Sequence, residues 1–205
     1  MSLSRSVIAV YSLFSVGAAI CAYSQATRDM LMEQAQREYR SQQYAAAESD
    51  LREITKRDPS NIYAQVYLGQ ALFRQEKYAD AVAPYEKARE LEKSGRKLSS
   101  DQHRILVDQL AMAYGISGDL KKARALLENA IRQDPEYPLN YYNLACAFAE
   151  EGDKGKMLAN LSLAFQRKNN ILKGERMPDP RTDSSFHKYV RDDDFTKLMK
   201  QLGYE

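Results

Sequence analysis

The residues able to do chemistry are few and scattered. The chain holds two histidines, His103 and His187, and two cysteines, Cys21 and Cys146. Neither histidine has a Cys, His or carboxylate at metal-ligand spacing on the same predicted helix. Neither forms a nucleophile motif with Cys146 or a serine. No Gly-rich phosphate loop occurs, and the whole chain contains nine glycines. Asn160-Leu161-Ser162 matches a glycosylation sequon but falls inside a predicted helix, where chance explains it better. Asp192-Asp193-Asp194 is the longest run of like charge, and it suits the positive end of a helix dipole better than a cation site. The pattern therefore predicts no catalytic residue, no metal site and no cofactor. Recognition chemistry is what remains.

Recognition needs a surface, and the spacing of small and large apolar residues says which elements build one. Val107, Leu110, Ala111 and Tyr114 are followed by Ala123, Leu127 and Pro135. Tyr141, Leu144, Ala145 and Phe148 are followed by Met157 and Leu161. Leu68, Gly69 and Leu72 precede Ala81 and Tyr85, with polar Gln65 in the opening slot. Leu31, Gln34 and Ala35 precede Ala47, Leu51 and Pro59. Ala47 and Ala81 lie 34 residues apart, as do Ala111 and Ala145. Pro59 and Pro135 lie 76 apart, eight more than two periods, so an insertion separates the second and third copies.

Apolar residues three and four apart give each segment a helical face, and the small residues let two helices approach closely. Gly118-Asp119 and Gly152-Asp153 predict tight turns, with Gly ending one helix and Asp capping the next. Gln42-Gln43-Tyr44 and Glu76-Lys77-Tyr78 lack Gly, so those turns are expected to be less sharply defined. Asp58-Pro59 and Asp134-Pro135 end two helices. Pro84 falls inside a predicted helix of about Tyr78 to Lys93, where it removes one backbone hydrogen bond and is expected to bend the helix. In the insertion, about residues 94–103, Gly95 marks a break, and Ser99 with Gln102 predicts a capping box for an early helix start.

These four copies, over residues 28 to 170, resemble the tetratricopeptide repeat, a helix–turn–helix unit. The resemblance implies an all-α, right-handed solenoid of four helix pairs. No unit buries its apolar face alone, so stacking makes one continuous core. Residues 171–205 resemble the two short helices that follow some bacterial arrays of this kind. Phe186, Tyr189, Phe195, Leu198 and Leu202 are expected to cover the last unit, with Asp194 standing where the pattern usually has Pro.

The resemblance also implies a concave face lined by the first helix of each unit. Register then assigns Met32, Gln36, Tyr39 and Arg40 from unit one. Unit two supplies Tyr63, Val66, Tyr67, Gln70, Phe73 and Arg74. Unit three supplies Ile105, Asp108, Gln109, Met112 and Ile116, and unit four Tyr142, Asn143 and Glu150. Aromatic and Met side chains with interspersed amides suit an apolar-anchored peptide whose backbone bonds to Gln and Asn. The alternative assigns several of these residues, such as Tyr67 and Met112, to the core. Arg40 and Arg74, one repeat apart, favour an acidic feature in a ligand. The carboxylate clamp of chaperone-binding members is not expected, because its Lys and Asn slots hold Met32, Gln36 and Tyr67.

Thirty basic and 28 acidic residues, spread along the chain, argue against nucleic acid as the partner. A protein or peptide partner is expected, and the class is non-catalytic adaptor. The other class is a structural subunit of an envelope complex or a homo-oligomer, using the convex face and the C-terminal helices. Residues 1–24 differ in kind: Arg5 precedes an uncharged apolar run, Val7 to Ala22, of 16 residues. Ala22-Tyr23-Ser24 offers a cleavage site for a signal peptide, and an uncleaved membrane anchor is the alternative. Ile20 before Cys21 disfavours a lipoprotein. The chain is thus expected to be exported or membrane-tethered. Removal of the leader would leave Cys146 as the lone cysteine, a small packing residue in a helix.

Overall fold

The computed structural model describes residues 29–95 and 97–204. Its elements are α1 (residues 29–40), α2 (Tyr44–Arg57), α3 (Ile62–Arg74), α4 (Tyr78–Lys93), α5 (Ser100–Ile116), α6 (Leu120–Gln133), α7 (Pro138–Glu151), α8 (Lys154–Gln166) and α9 (Asp193–Gln201). Short 3-10 turns span Lys168–Asn170 and Ser184–Tyr189. No strand occurs among the described residues. Each helix from α2 to α8 packs against the next, and α5 also packs against α3 and α7. The result is an all-α solenoid with one continuous core.

Repeat positions are the core. Ala35, Ala47, Ala81, Ala111, Ala123 and Ala145 are buried, together with Leu51, Tyr85, Leu127 and Leu161. In each unit the small residue of the first helix precedes a large one by 16 positions: Ala35 and Leu51, Gly69 and Tyr85, Ala111 and Leu127, Ala145 and Leu161. Unit two departs from the Ala–Leu pattern at both places together. A Cβ on Gly69 would lie 2.4 Å from the Tyr85 ring, so the larger ring requires the missing side chain. Gln65, also buried, donates from Nε2 to the Pro59 carbonyl at 3.3 Å, which satisfies the polar group in the opening slot.

All four turns within the units share one conformation, which corrects the expectation for the first two. The residue after each turn donates to the carbonyl five positions back: Gln43 to Glu38, Lys77 to Leu72, Asp119 to Tyr114 and Asp153 to Phe148. Closing that bond requires a left-handed residue. Gly118 and Gly152 supply it at φ 87° and 82°, and Gln42 and Glu76 adopt it at φ 61°. Packing of the helix pairs fixes the turn, and the two non-Gly residues absorb a strain of about 1 kcal/mol each. What units one and two lack is the side-chain cap that Asp119 and Asp153 give α6 and α8.

Where α2 meets the turn before α4, Glu48 accepts from Arg52 at 2.8 Å, Gln75 at 2.9 Å and Lys77 at 2.8 Å. Burial works against the charged carboxylate there, but these three donors outweigh it and hold Glu48 down to about 2. Further along, α4 runs through buried Pro84 as one helix and reaches Lys93. The Ser99–Gln102 capping box starts α5, and Gly95 turns the chain at φ 103°. His103 Nδ1 and Glu92 Oε2 approach to 2.8 Å across this connection.

After α8 the chain crosses back over α7. Phe186, Phe195 and Met199 are buried there, and Tyr189, Leu198 and Leu202 pack against the core. Asp192 caps α9 by accepting from the Asp194 and Phe195 amides, so the acidic run is a helix start. Lys154 ties it to α8 with bonds of 2.9 Å to Asp192 and 2.8 Å to Asp194.

Candidate functional site

Several of the expected recognition residues touch across successive odd-numbered helices. Tyr39 of α1 meets Tyr67 of α3 edge-on at 5.8 Å, and the neighbouring Tyr39 hydroxyl holds the Arg74 guanidinium above its ordinary value. Asn143 of α7 donates to Asp108 of α5 at 2.6 Å. Between them, Tyr85 of α4 donates to Gln109 Oε1 from beneath. Gln109 is therefore already engaged by the core.

Exposure divides this face into two parts. Over α1, α3 and α5 it is open: Tyr63 is 43%, Met112 38% and Ile116 55% exposed. Met32, Gln36, Tyr39, Tyr67, Gln70, Phe73 and Ile105 are half-buried there, and Arg40 and Arg74 are exposed. Phe73 packs edge-on against Tyr78 at 5.0 Å, which makes it part support and part surface. Val66 is buried and belongs to the core.

Over α7 the same face is covered. Tyr142 is 1% exposed, which corrects its assignment as an accessible anchor. Its hydroxyl donates to Asp183 Oδ2 at 3.0 Å, and its ring meets Phe186 edge-on at 5.8 Å. Cys146 Sγ lies 3.9 Å from the same Asp183 oxygen, and burial pushes the thiol well above its usual range. Tyr137, at the start of α7, donates to both oxygens of Glu175 at 3.1 and 2.9 Å. Tyr189 donates to the Ala149 carbonyl at 3.4 Å. Asn143 is half-buried and spent on Asp108, and only Glu150 of the expected unit-four residues is exposed. Residues 175–189 of the chain itself thus occupy the fourth unit's share of the face.

The boundary between open and covered parts is acidic. Asp108 is pushed up to about 7, chiefly by burial, with the Asn143 bond opposing and the charge of Glu175 adding to it. Phe186 packs on the last unit as expected, whereas Glu175, Asp183 and Tyr137 escaped the sequence reading. No local pattern says that Glu175 and Asp183 bond to Tyr137 and Tyr142.

Neither concavity outlined by the side chains is an enclosed cavity. One is bounded by Arg52, Gln65, Asp80 and Pro84, and the other by Glu76, Lys77, Tyr78 and Ile116. No group of three or more His, Cys, Asp and Glu side chains is arranged to hold a metal among the described residues. Asn160 lies within α8, its side chain bonded to the Lys156 carbonyl. No helix among the described residues is long and apolar enough to cross a membrane. The expected leader, residues 1–24, lies outside the described residues.

A family model described as tetratricopeptide repeat matches residues 32–95 and 109–156, more than half of the chain. Among solved structures, the chain is similar to MamA at TM-score 0.65 and 18% identity, covering 85% of this chain and 91% of that one. It is similar to MamA from Desulfovibrio magneticus RS-1 at 0.62 and 20%, covering 84% and 93%. It is also similar to YrrB, described as a tetratricopeptide repeat protein with an unusual peptide-binding site, at 0.59 and 16%, covering 84% and 82%. At these identities the likeness concerns the fold alone. No curated protein matches the chain.

Proposed function

The chain belongs to the tetratricopeptide repeat family, whose fold is a protein–protein interaction scaffold, and from that premise we propose that it is a non-catalytic adaptor holding a peptide or protein segment over α1, α3 and α5. One observation carries this reading. Three of the five exposed large apolar side chains among the described residues, Tyr63, Met112 and Ile116, fall on one face of two neighbouring helices. Half-buried Gln36 and Gln70 lie at equivalent positions beside them. Contiguous exposed apolar surface on a folded chain marks a contact site, and aromatic and Met anchors with flanking amides suit a bound segment. Peptides selected from a random library on the full chain test it. Tyr63→Ala with Met112→Ala should weaken them about tenfold or more, and Lys121→Ala on α6 should not. Equal loss from Lys121→Ala, or none from the groove pair, removes the groove.

The uncharged run from Val7 to Ala22 beside Arg5 supports export from, or tethering to, a bacterial membrane. Amino-terminal sequencing of protein from its native host tests this, and a soluble cytoplasmic form beginning at Ser2 would refute it. A second role, as a structural subunit or homo-oligomer, is favoured by one feature: the face over α7 is filled by the chain's own residues 175–189. Sedimentation equilibrium distinguishes it, with a stable oligomer favouring this role.

A further inference from the structure

The covered unit displays how this face receives a segment. Two carboxylates, Glu175 and Asp183, accept from the hydroxyls of Tyr137 and Tyr142. Phe186, three residues after Asp183, sets its ring edge-on against the same Tyr142. The occupant is therefore acidic and aromatic at a spacing of three.

The open part has no tyrosine equivalent to Tyr142, its places being held by Met32, Val66 and Asp108, and offers cations instead. The row at the C-terminal ends of α1, α3, α5 and α7 reads Arg40, Arg74, Ile116, Glu150, and all four are exposed. Neither Arg40 nor Arg74 enters an ion pair among the described residues. The row then passes to an exposed apolar side chain and ends on a carboxylate. An acidic group is thus attracted at α1 and α3 and repelled beyond α5. Packed helices lie about 8–10 Å apart, which is about one turn of a polyproline II segment, three residues at ~3.1 Å each, so that residues three apart face the same side. An acid held by Arg74 leaves the side chain three positions away over Ile116 and Met112.

Resting on the groove reading above, we propose that the preferred partner is a segment with an acidic and an aromatic residue three positions apart, its carboxylate on Arg40 and Arg74 and its ring on Met112 and Ile116. The probes are four fluorescent dodecapeptides on one neutral scaffold, carrying Asp-x-x-Phe, Asn-x-x-Phe, Asp-x-x-Ala or Lys-x-x-Phe. Their anisotropy is titrated with the full chain. Asp-x-x-Phe should bind tightest, with about tenfold loss for each single change, as expected for a charge-assisted bond or an apolar anchor. Arg40→Gln with Arg74→Gln should bring Asp-x-x-Phe down to the Asn-x-x-Phe level and leave the Asn peptide unchanged. Arg40→Gln alone should give part of that loss, and a thermal melt verifies folding of each variant. Equal binding of the Asp, Asn and Lys peptides, all lost on Met112→Ala, overturns this proposal and leaves the groove reading standing. Failure of all four to bind overturns it too. The groove reading itself falls only if library-selected peptides also ignore the groove substitutions.

Discussion

Replacing Gly69 by alanine puts a Cβ 2.4, 2.5 and 2.8 Å from three carbons of the Tyr85 ring. Carbon atoms rest about 3.5–4.0 Å apart, so ring or helix must move by roughly 1 Å. Tyr85 is fully buried and its hydroxyl is fixed on Gln109, so there is little room to yield. Overpacking of this kind costs about 1–3 kcal/mol, and loosening the Tyr85–Gln109 bond adds about 1 kcal/mol. Alanine's better helix propensity returns about 1 kcal/mol. Gly69→Ala should therefore destabilise the chain by ~1–3 kcal/mol in urea unfolding. The sharper test is the double-mutant cycle. Tyr85→Leu alone leaves a cavity, but Gly69→Ala with Tyr85→Leu recreates the Ala–Leu pair of the other three units. The double variant should be at least as stable as Tyr85→Leu, with a coupling of about 2 kcal/mol. Additive effects would show that Gly69 and Tyr85 are not packed as described.

Other consequences follow from the turns, the buried carboxyl and the covered unit. Glu76→Gly should stabilise by up to ~1 kcal/mol in urea unfolding, since glycine relieves a left-handed residue at some cost in unfolded-state entropy. Asp108 is raised to about 7 in the folded chain. Its contribution is therefore fully present below the unfolded carboxyl value of about 4 and is lost as pH rises through about 7. Asp108→Asn should raise the melting temperature at pH 8, with the gain over wild type shrinking towards pH 4; a gain independent of pH would refute the burial argument. Phe186→Ala should cost about 3–5 kcal/mol, read in urea unfolding, and should let a thiol reagent reach Cys146 faster than in wild type.

The repeats were readable because a single helical period places their residues, and local capping was readable because it needs only neighbours. Ser99 with Gln102, Asp119, Asp153 and Asp192 all cap as their sequence implies. Gln42 and Glu76 were not readable from propensity, since helix packing imposes a conformation that their own side chains disfavour. The joint change at Gly69 and Tyr85 was in the sequence, but only the packing of α3 against α4 gives it meaning. Register alone made Tyr142 equivalent to Met32, Val66 and Asp108 of the earlier units. The pattern put Phe186 and Tyr189 over the last unit, but that the segment seats on Tyr142 itself depends on the path of residues 175–189 after α8, which no local pattern carries.

The most direct test of the open groove is site-specific photo-crosslinking to a library-selected peptide. A benzoylphenylalanine is introduced in turn at Met112 on α5, at Lys121 on α6 and at Val190 beside the covering segment. The account predicts a peptide adduct from Met112, competed away by unlabelled peptide, and none from the other two. An adduct from Lys121 or Val190, with Met112 silent, would contradict it and assign recognition to the outer helices or the C-terminal end.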